Sequence, residues 1–189
     1  MHRIVEVILG GSGGQGMNLA GQMLAQAIAE EEGKNVIETE LYGISMRGGI
    51  SLAQVLFSEG EVTDVRVTEA DIIIAMSGEF ASLYVPKIKE GGIVLSDSHV
   101  KIPPLPRDAK VLSLPFIEEA RRLGNEMVAN VIALGALIGA TRIVSKESLR
   151  TVLRSRFSGS ALDLNLSALE IGEKIALDSL KNLTFAKKG

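Results

Sequence analysis

The sequence predicts an α/β fold of the Rossmann-like type: a mainly parallel sheet flanked by helices, with a helical C-terminal third. Residues 3–9 form a nearly continuous apolar run, as expected for a parallel strand covered on both faces. Strand-like runs rich in Val and Ile then alternate with helical patterns as far as Leu114. From about Pro115 to Leu180 the pattern is mostly helical. We expect residues 1–189 to form a single domain, because no internal repeat or low-complexity tract divides the chain.

A β-loop-α-β unit opens the chain. The loop covers residues 10–16, and a helix follows over residues 17 to about 32, where Gly33 provides a C-terminal stop. A helix is predicted over residues 79–89, and Pro86 is expected either to kink it or to end it early. The remaining predicted elements are strands over residues 35–39, 50–57, 71–76, 93–97 and 111–114, a short extended piece near 58–62, and a helix from Lys146 with Ser145 as its N-cap.

The composition excludes several classes of function. Charged residues make up 23% of the chain and the net charge is −3, so a nucleic-acid partner chosen by bulk charge is not expected. The chain has no cysteine, which excludes thiolate zinc sites and iron–sulfur ligation by its own residues. Its two histidines are too few for most histidine-based metal sites. We therefore expect neither a metal nor a nucleic acid on this chain.

The most apolar helical stretch begins at Met127 and contains Gly135 and Gly139. This spacing of small residues is found both in membrane helices and in closely packed buried helices. We predict a buried helix, because Asn130 and Arg142 leave an uninterrupted apolar run shorter than the roughly 20 residues that a bilayer needs. The N-terminus also lacks a signal-peptide pattern, so we expect a cytoplasmic protein without a membrane partner.

The glycine loop, within ILGGSGGQGMNLAGQ, has the spacing of a dinucleotide-binding loop. Gly11, Gly13 and Gly16 form G-x-G-x-x-G, and the N-terminus of the following helix suits a phosphate group. Glu38, near the end of the second predicted strand, stands where an acidic residue binds the ribose of NAD.

Two features weaken the dinucleotide interpretation. Gly14 and Gln15 place a polar amide where the backbone must pass tightly, and the chain lacks a second mononucleotide-binding half and a catalytic domain. Three interpretations stay open: a dinucleotide, another phosphate ligand, or a tight strand–helix turn that binds nothing.

A second loop, YGISMRGG, places Arg47 before Gly48 and Gly49, five residues after Tyr42. An arginine between glycines is typical of a loop that holds a carboxylate or a phosphate. The alternative is that Arg47 caps carbonyls of its own loop or pairs with Glu40.

Six segments, in this order, resemble the gamma subunit of the 2-oxoacid:ferredoxin oxidoreductases. They are GGSGGQGMNLAGQMLAQA, ETELYGISMRGG, ADIIIAMS, IKEGGIVLSDS, GNEMVANVIALGALIG and LRTVLRSRFSGSALDLNLSALEIGEK. The similarity extends from about Arg3 to Lys174, and the pairing of G-G-x-G-G-Q-G with Y-G-x-x-x-R-G-G is its most specific part.

The resemblance implies an enzyme that oxidatively decarboxylates a 2-oxoacid with coenzyme A, giving an acyl-CoA, carbon dioxide and reduced ferredoxin. Thiamine diphosphate and iron–sulfur clusters would lie on partner chains, which agrees with the absence of cysteine here. This chain would be an accessory subunit, inactive alone, beside alpha, beta and delta-type subunits. It would hold no cofactor tightly, with coenzyme A as its candidate ligand and ferredoxin as the acceptor of the complex.

The resemblance also supplies the candidate binding residues, and no catalytic ones. Asn125 and Asn130 match polar positions of the helical motif. The matched loop positions are Gly11, Gly13, Gly14, Gln15 and Gly16, then Tyr42, Gly43, Arg47, Gly48 and Gly49.

Ile44, Ser45 and Met46 depart from the family patterns. Pyruvate and 2-oxoglutarate types more often resemble Y-G-P-E-A-R-G-G, and the indolepyruvate beta subunit resembles H-G-M-x-Q-R-G-G. We expect 2-oxoglutarate or a related 2-oxoacid as the substrate. The alternatives are a stand-alone NAD(P)-binding Rossmann-type enzyme or a nucleotide-sensing module. Against the first, no general acid–base residue lies in a plausible second domain, and a lone histidine beside a proline-rich loop, as His99 is, is expected to be a surface residue.

Overall fold

The computed structural model describes residues 2–42, 49–63, 65–106 and 108–186. They form one six-stranded sheet with helices on both faces. The strands and helices are β1 (Val5–Ser12), α1 (Met17–Gln26), β2 (Asn35–Tyr42), β3 (Ile50–Ser58), β4 (Ala70–Ala75), α2 (Gly78–Tyr84), β5 (Ile88–Asp97), β6 (Lys110–Leu114), α3 (Phe116–Arg122), α4 (Ala129–Thr141), α5 (Lys146–Arg156) and α6 (Gly159–Ala186). A π-helical turn, Ala27–Glu31, continues α1, and 3₁₀ turns occupy Val85–Lys87 and Glu126–Val128.

The strand order is β2-β3-β1-β4-β5-β6. The β1–β4, β4–β5 and β5–β6 pairs are parallel, which confirms a mainly parallel sheet. β3 runs antiparallel to both β1 and β2 and lies between them. The β-loop-α-β unit therefore exists, but its two strands are not neighbours, unlike those of a dinucleotide-binding unit.

The two faces of the sheet are covered unequally. The larger core cluster joins the sheet to α1, α3, α4, α5 and α6, whereas the smaller one joins it to α2 and to irregular segments. The continuous apolar runs of β1 and β4 reflect this, because side chains on both faces of these strands are buried.

Glycines let α4 and α6 pack with their backbones close together. A Cβ on Gly135 would lie 2.1 Å from the carbonyl oxygen of Leu169, and a Cβ on Gly172 would lie 1.9 Å from that of Ile132. The expected buried helix at Gly135 and Gly139 is confirmed. Among the described residues, no helix combines the length and the apolarity that a membrane crossing requires.

Several predicted boundaries need correction. β1 continues through Gly10 to Ser12, because β3 pairs with it along its whole length, so the loop is shorter than residues 10–16. No strand forms over the described residues of 59–69. The early end of α2 before Pro86 is confirmed, as is the N-cap at Ser145, whose hydroxyl accepts a hydrogen bond from the amide of Ser148.

Asp71 gives the fold a predictable pH dependence. Its carboxylate accepts hydrogen bonds from Arg3, from Lys89 and from the amide of Glu6, each at 2.9 Å. Burial is the largest single influence on the pKa of Asp71 and raises it, but the bonds from Lys89, Glu6 and Arg3 together outweigh burial and leave the pKa below its usual value. The folded pKa is thus depressed, so this stabilisation is complete above the usual aspartate pKa and disappears as the pH falls through the folded pKa.

We expect Asp71→Asn to lower the free energy of unfolding by about 2 kcal/mol at pH 7, because hydrogen bonds to a charged group are lost. The difference from wild type should shrink as the pH falls. Urea unfolding between pH 2 and pH 7 measures it. The control is Glu126→Gln, which breaks an exposed pair with Arg121 and should change stability little. Equal effects of the two variants at every pH would contradict the assignment.

Candidate glycine-loop site at the carboxyl edge of the sheet

The glycine loop follows β1 at the carboxyl edge of the parallel strands, the edge at which open α/β sheets bind ligands. Gly13, Gly14, Gln15 and Gly16 make up the loop, and Gly11 lies in β1 opposite Ser51. The predicted glycines therefore lie in two different elements, the strand and the loop.

Gln15 faces inward. Its side-chain oxygen accepts a hydrogen bond from the amide of Ser12 at 2.8 Å, and its side-chain nitrogen donates to the carbonyl oxygen of Met76 at 3.1 Å. The side chain thereby joins the end of β1 to the residue that follows β4. A Cβ on Gly11 would lie 2.2 Å from the Gln15 oxygen and 2.8 Å from the Met76 Cβ, so a larger residue at position 11 would push the Gln15 side chain out of its two hydrogen bonds.

Gly16 is the N-cap of α1 and has a left-handed backbone, with φ of 70°. The side-chain nitrogen of Asn130 donates to its carbonyl oxygen at 3.0 Å and would lie 2.6 Å from a Cβ at this position. Asn130 is 4% exposed, near the start of α4. The helical motif and the glycine loop, 114 residues apart in sequence, thus form one unit.

The two predicted loops meet at their bases. The amide of Gly13 donates to the carbonyl oxygen of Gly49 at 2.9 Å, and Tyr42 ends β2 opposite Ser51. These contacts bring the glycine loop and the ends of the second loop together. Gly43, Arg47 and Gly48, with the side chain of Tyr42, lie outside the described residues.

Gly14 is the loop residue with open space around it. It has φ of 92°, and a Cβ there would meet no atom within 4 Å. A cavity of about 130 Å³ lies between Gly14, Gln15, Met76 and Met127, and the Met127 side chain is 61% exposed. The cavity is smaller than a typical small-molecule pocket, so a larger ligand at Gly14 would extend across the surface.

Glu38 does not occupy the ribose position that the dinucleotide interpretation assigned to it. It lies halfway along the edge strand β2, opposite Val55 of β3, and its side-chain oxygen lies under α1, 3.5 Å from where a Cβ on Gly21 would be. One of its oxygens is buried without a hydrogen-bond partner. Burial, and then the nearby Glu40 carboxylate, raise the pKa of Glu38 above its usual value.

A polar network beneath the first turns of α1 was missed by the sequence reasoning. The Asn18 side chain donates to Glu40 at 3.2 Å and accepts from the Ser51 hydroxyl at 2.7 Å, while Gln22 donates to Glu40 at 2.6 Å. It ties the start of α1 to β2 and β3, the strands on either side of the second loop. The available signal was Asn18, a polar residue on the otherwise apolar face of α1.

Asp97 and His99 form a second polar feature of this edge. The fully buried Asp97 carboxylate accepts hydrogen bonds from the amides of His99 and Ile117, each at 3.0 Å, and pairs with His99 Nδ1 at 2.9 Å. The His99 ring is 66% exposed. Within the described ranges, no cluster of three or more metal-ligating side chains occurs.

Comparisons with known proteins agree with this arrangement. Residues 6–175 match the model of the pyruvate ferredoxin/flavodoxin oxidoreductase family. The KorC subunit of 2-oxoglutarate synthase from Methanocaldococcus jannaschii is 35% identical, over 90% of this chain and 93% of its own length.

Two solved structures share the fold. The gamma subunit of keto/oxoacid ferredoxin oxidoreductase from Geobacter sulfurreducens superposes with a TM-score of 0.84 at 34% identity, covering 94% of this chain and 98% of that one. The 2-oxoglutarate:ferredoxin oxidoreductase from Magnetococcus marinus, with 2-oxoglutarate, coenzyme A and succinyl-CoA bound, also gives 0.84, at 25% identity. That match covers 92% of this chain and 31% of the longer one.

Proposed function

The chain belongs to the pyruvate ferredoxin/flavodoxin oxidoreductase family, and we propose that it is the gamma subunit of a 2-oxoacid:ferredoxin oxidoreductase. The complex would oxidise a 2-oxoacid with coenzyme A to an acyl-CoA and carbon dioxide, and reduce ferredoxin. The observation that carries the proposal is the match over nearly the full length of both KorC and the gamma subunit from Geobacter sulfurreducens. The similarity to KorC favours 2-oxoglutarate as the substrate.

The cofactors that carry electrons fit partner chains and not this one. Iron–sulfur clusters need thiolate ligands, and this chain has no cysteine. We assign the clusters and thiamine diphosphate to the alpha, beta and delta-type subunits, with ferredoxin as the acceptor. This chain would then be inactive when isolated, so an assay with NAD and a panel of 2-oxoacids should show no turnover.

We assign coenzyme A to the glycine loop of this chain. Gly14 leaves its backbone open to solvent, and the N-terminus of α1 directly behind it favours a pyrophosphate. Gly13 and Gly49 join this loop to the second one, from which Arg47 would supply an accessory cation. Gln15 and Gly11 contribute by holding the loop in shape, since the Gln15 amide is occupied by backbone groups.

Titrating coenzyme A into the assembled enzyme tests this assignment. We expect Gly14→Val and Arg47→Ala each to raise the KM for coenzyme A about tenfold, because the loop loses close approach or a charged contact. Gly33→Val is the matched control: Gly33 also has positive φ and open space, but it lies at the far end of α1.

An unchanged KM in both loop variants would remove the ligand role. Loss of the gamma subunit from the purified complex would instead show that the loops contact a partner chain, which is the rival interpretation. Neither result would alter the family assignment.

A further inference from the structure

A second cleft lies at the opposite edge of the sheet from the glycine loop. It has a volume of about 410 Å³ and lies where the turn after α1, the end of α4, the start of α5 and the middle of α6 come together. This volume falls within the range of small-molecule sites. Its apolar lining comes from Ile138, Ile143, Val144 and Leu177, and its charged lining from Glu32, Lys34, Arg142, Lys146 and Glu173.

The acidic groups of this cleft already have partners. Glu32 accepts hydrogen bonds from the amide of Ser145 at 2.9 Å and from the Ser148 hydroxyl at 2.6 Å. Glu173 pairs with Lys146 at 2.5 Å. Lys34 lies over the Phe57 ring, 5.7 Å from its centroid. Three cations against two carboxylates give the cleft a net positive charge.

Arg142 is the cation without a committed partner. Its side chain is exposed and makes no hydrogen bond or ion pair with any residue that the structure describes. It caps the C-terminus of α4 in the left-handed conformation, with φ of 55°. Glycine is the residue that this position favours, so the arginine is held there at the expense of stability. A strained residue with an unused guanidinium at the wall of a cleft is a candidate for binding.

We propose that this cleft binds a small organic anion, whose phosphate or carboxylate pairs with Arg142 and whose apolar part lies against Ile138, Ile143, Val144 and Leu177. The guanidinium supplies a fork of donors for the anionic group. Because this wall of the cleft is apolar, we expect an inorganic anion to bind more weakly than an organic one. This site is separate from the proposed coenzyme A role of the glycine loop.

Phenyl phosphate is a suitable probe, with inorganic phosphate and phenol as its two halves. Calorimetric titration of the full chain, repeated on the assembled enzyme, should show phenyl phosphate binding more tightly than either half. Arg142→Gly should weaken this binding about tenfold while leaving Tm unchanged or raising it by roughly 2 °C, because glycine relieves the backbone strain. Loss of binding with a gain in stability could not result from unfolding.

The matched control is Asp108→Gly. Asp108 is also a non-glycine residue with positive φ, at 64°, and it does not line the cleft. This variant should gain stability and keep phenyl phosphate affinity. Gly14→Val should also keep it, which separates this site from the glycine loop.

Three outcomes would overturn the proposal. The first is that phenyl phosphate binds no more tightly than phosphate or phenol alone, and the second is that Arg142→Gly leaves the affinity for phenyl phosphate unchanged. The third is that Arg142→Gly detaches the subunit from the complex without affecting the anion, in which case the guanidinium serves a partner chain.

Discussion

Replacing Gly172 by alanine is expected to lower the free energy of unfolding by about 3 kcal/mol, through overpacking of a rigid contact. The added methyl would lie 1.9 Å from the carbonyl oxygen of Ile132 and 2.9 Å from the amide nitrogen of Ala136. Both atoms belong to the α4 backbone, so no side-chain rotation can relieve the clash. The helices must move apart, which opens gaps along the contact that buries α4.

Thermal and urea unfolding measure this effect, with an expected Tm decrease of roughly 6–12 °C. Gly78→Ala is the control, since Gly78 begins α2 and a Cβ there would meet nothing within 4 Å. The control should change stability by less than about 0.5 kcal/mol. Equal losses in the two variants would show that the clash at Gly172 relaxes freely.

Replacing Gln15 by leucine is expected to lower the free energy of unfolding by about 3 kcal/mol, because two backbone groups lose their partners. The amide of Ser12 loses its acceptor and the carbonyl of Met76 loses its donor. Met76 is 2% exposed, so water cannot readily replace the lost donor. The same change should weaken binding of any ligand at the glycine loop, since the loop loses the bond that shapes it.

Gln15→Glu separates the two bonds. A carboxylate still accepts from Ser12, but it can donate to Met76 only when it is protonated. Burial against a carbonyl raises the pKa of such a carboxyl. The decrease in the free energy of unfolding of Gln15→Glu relative to wild type should therefore be largest at pH 7 and should shrink as the pH falls. Urea unfolding of both variants across this range measures the effect. Full stability of Gln15→Leu at pH 7 would show that the amide is dispensable.

The sequence predicted the glycine loop as a unit but not the reason for each of its residues. Gln15 looked like a defect in a dinucleotide-binding pattern, and the structure shows it bonded to the ends of two strands. Gly16 matched the pattern by spacing. In the structure, the space that a Cβ on Gly16 would take is occupied by the Asn130 side chain, from a helix more than a hundred residues later. Spacing along one segment carries no information about a contact with another.

The order of the strands in the sheet also could not be predicted from the sequence. The antiparallel β3 comes between β1 and β2, and this order places Glu38 under α1 and away from the loop. The pairing of Gly135 with a helix was predictable, because small residues at this spacing signal close packing, but the partner α6 was not.

The sequence by itself determined the class of fold, the alternating elements, the helical C-terminal third and the exclusion of cysteine-ligated clusters from this chain. These follow from burial, which imposes the periods of strands and helices on local sequence, and from composition. Tertiary structure decided the strand order, the inward direction of Gln15, the Asn130–Gly16 contact and the strained Arg142 at its cleft. Those features depend on how segments distant in the chain pack together, and the packing energy cannot be read from any one segment alone.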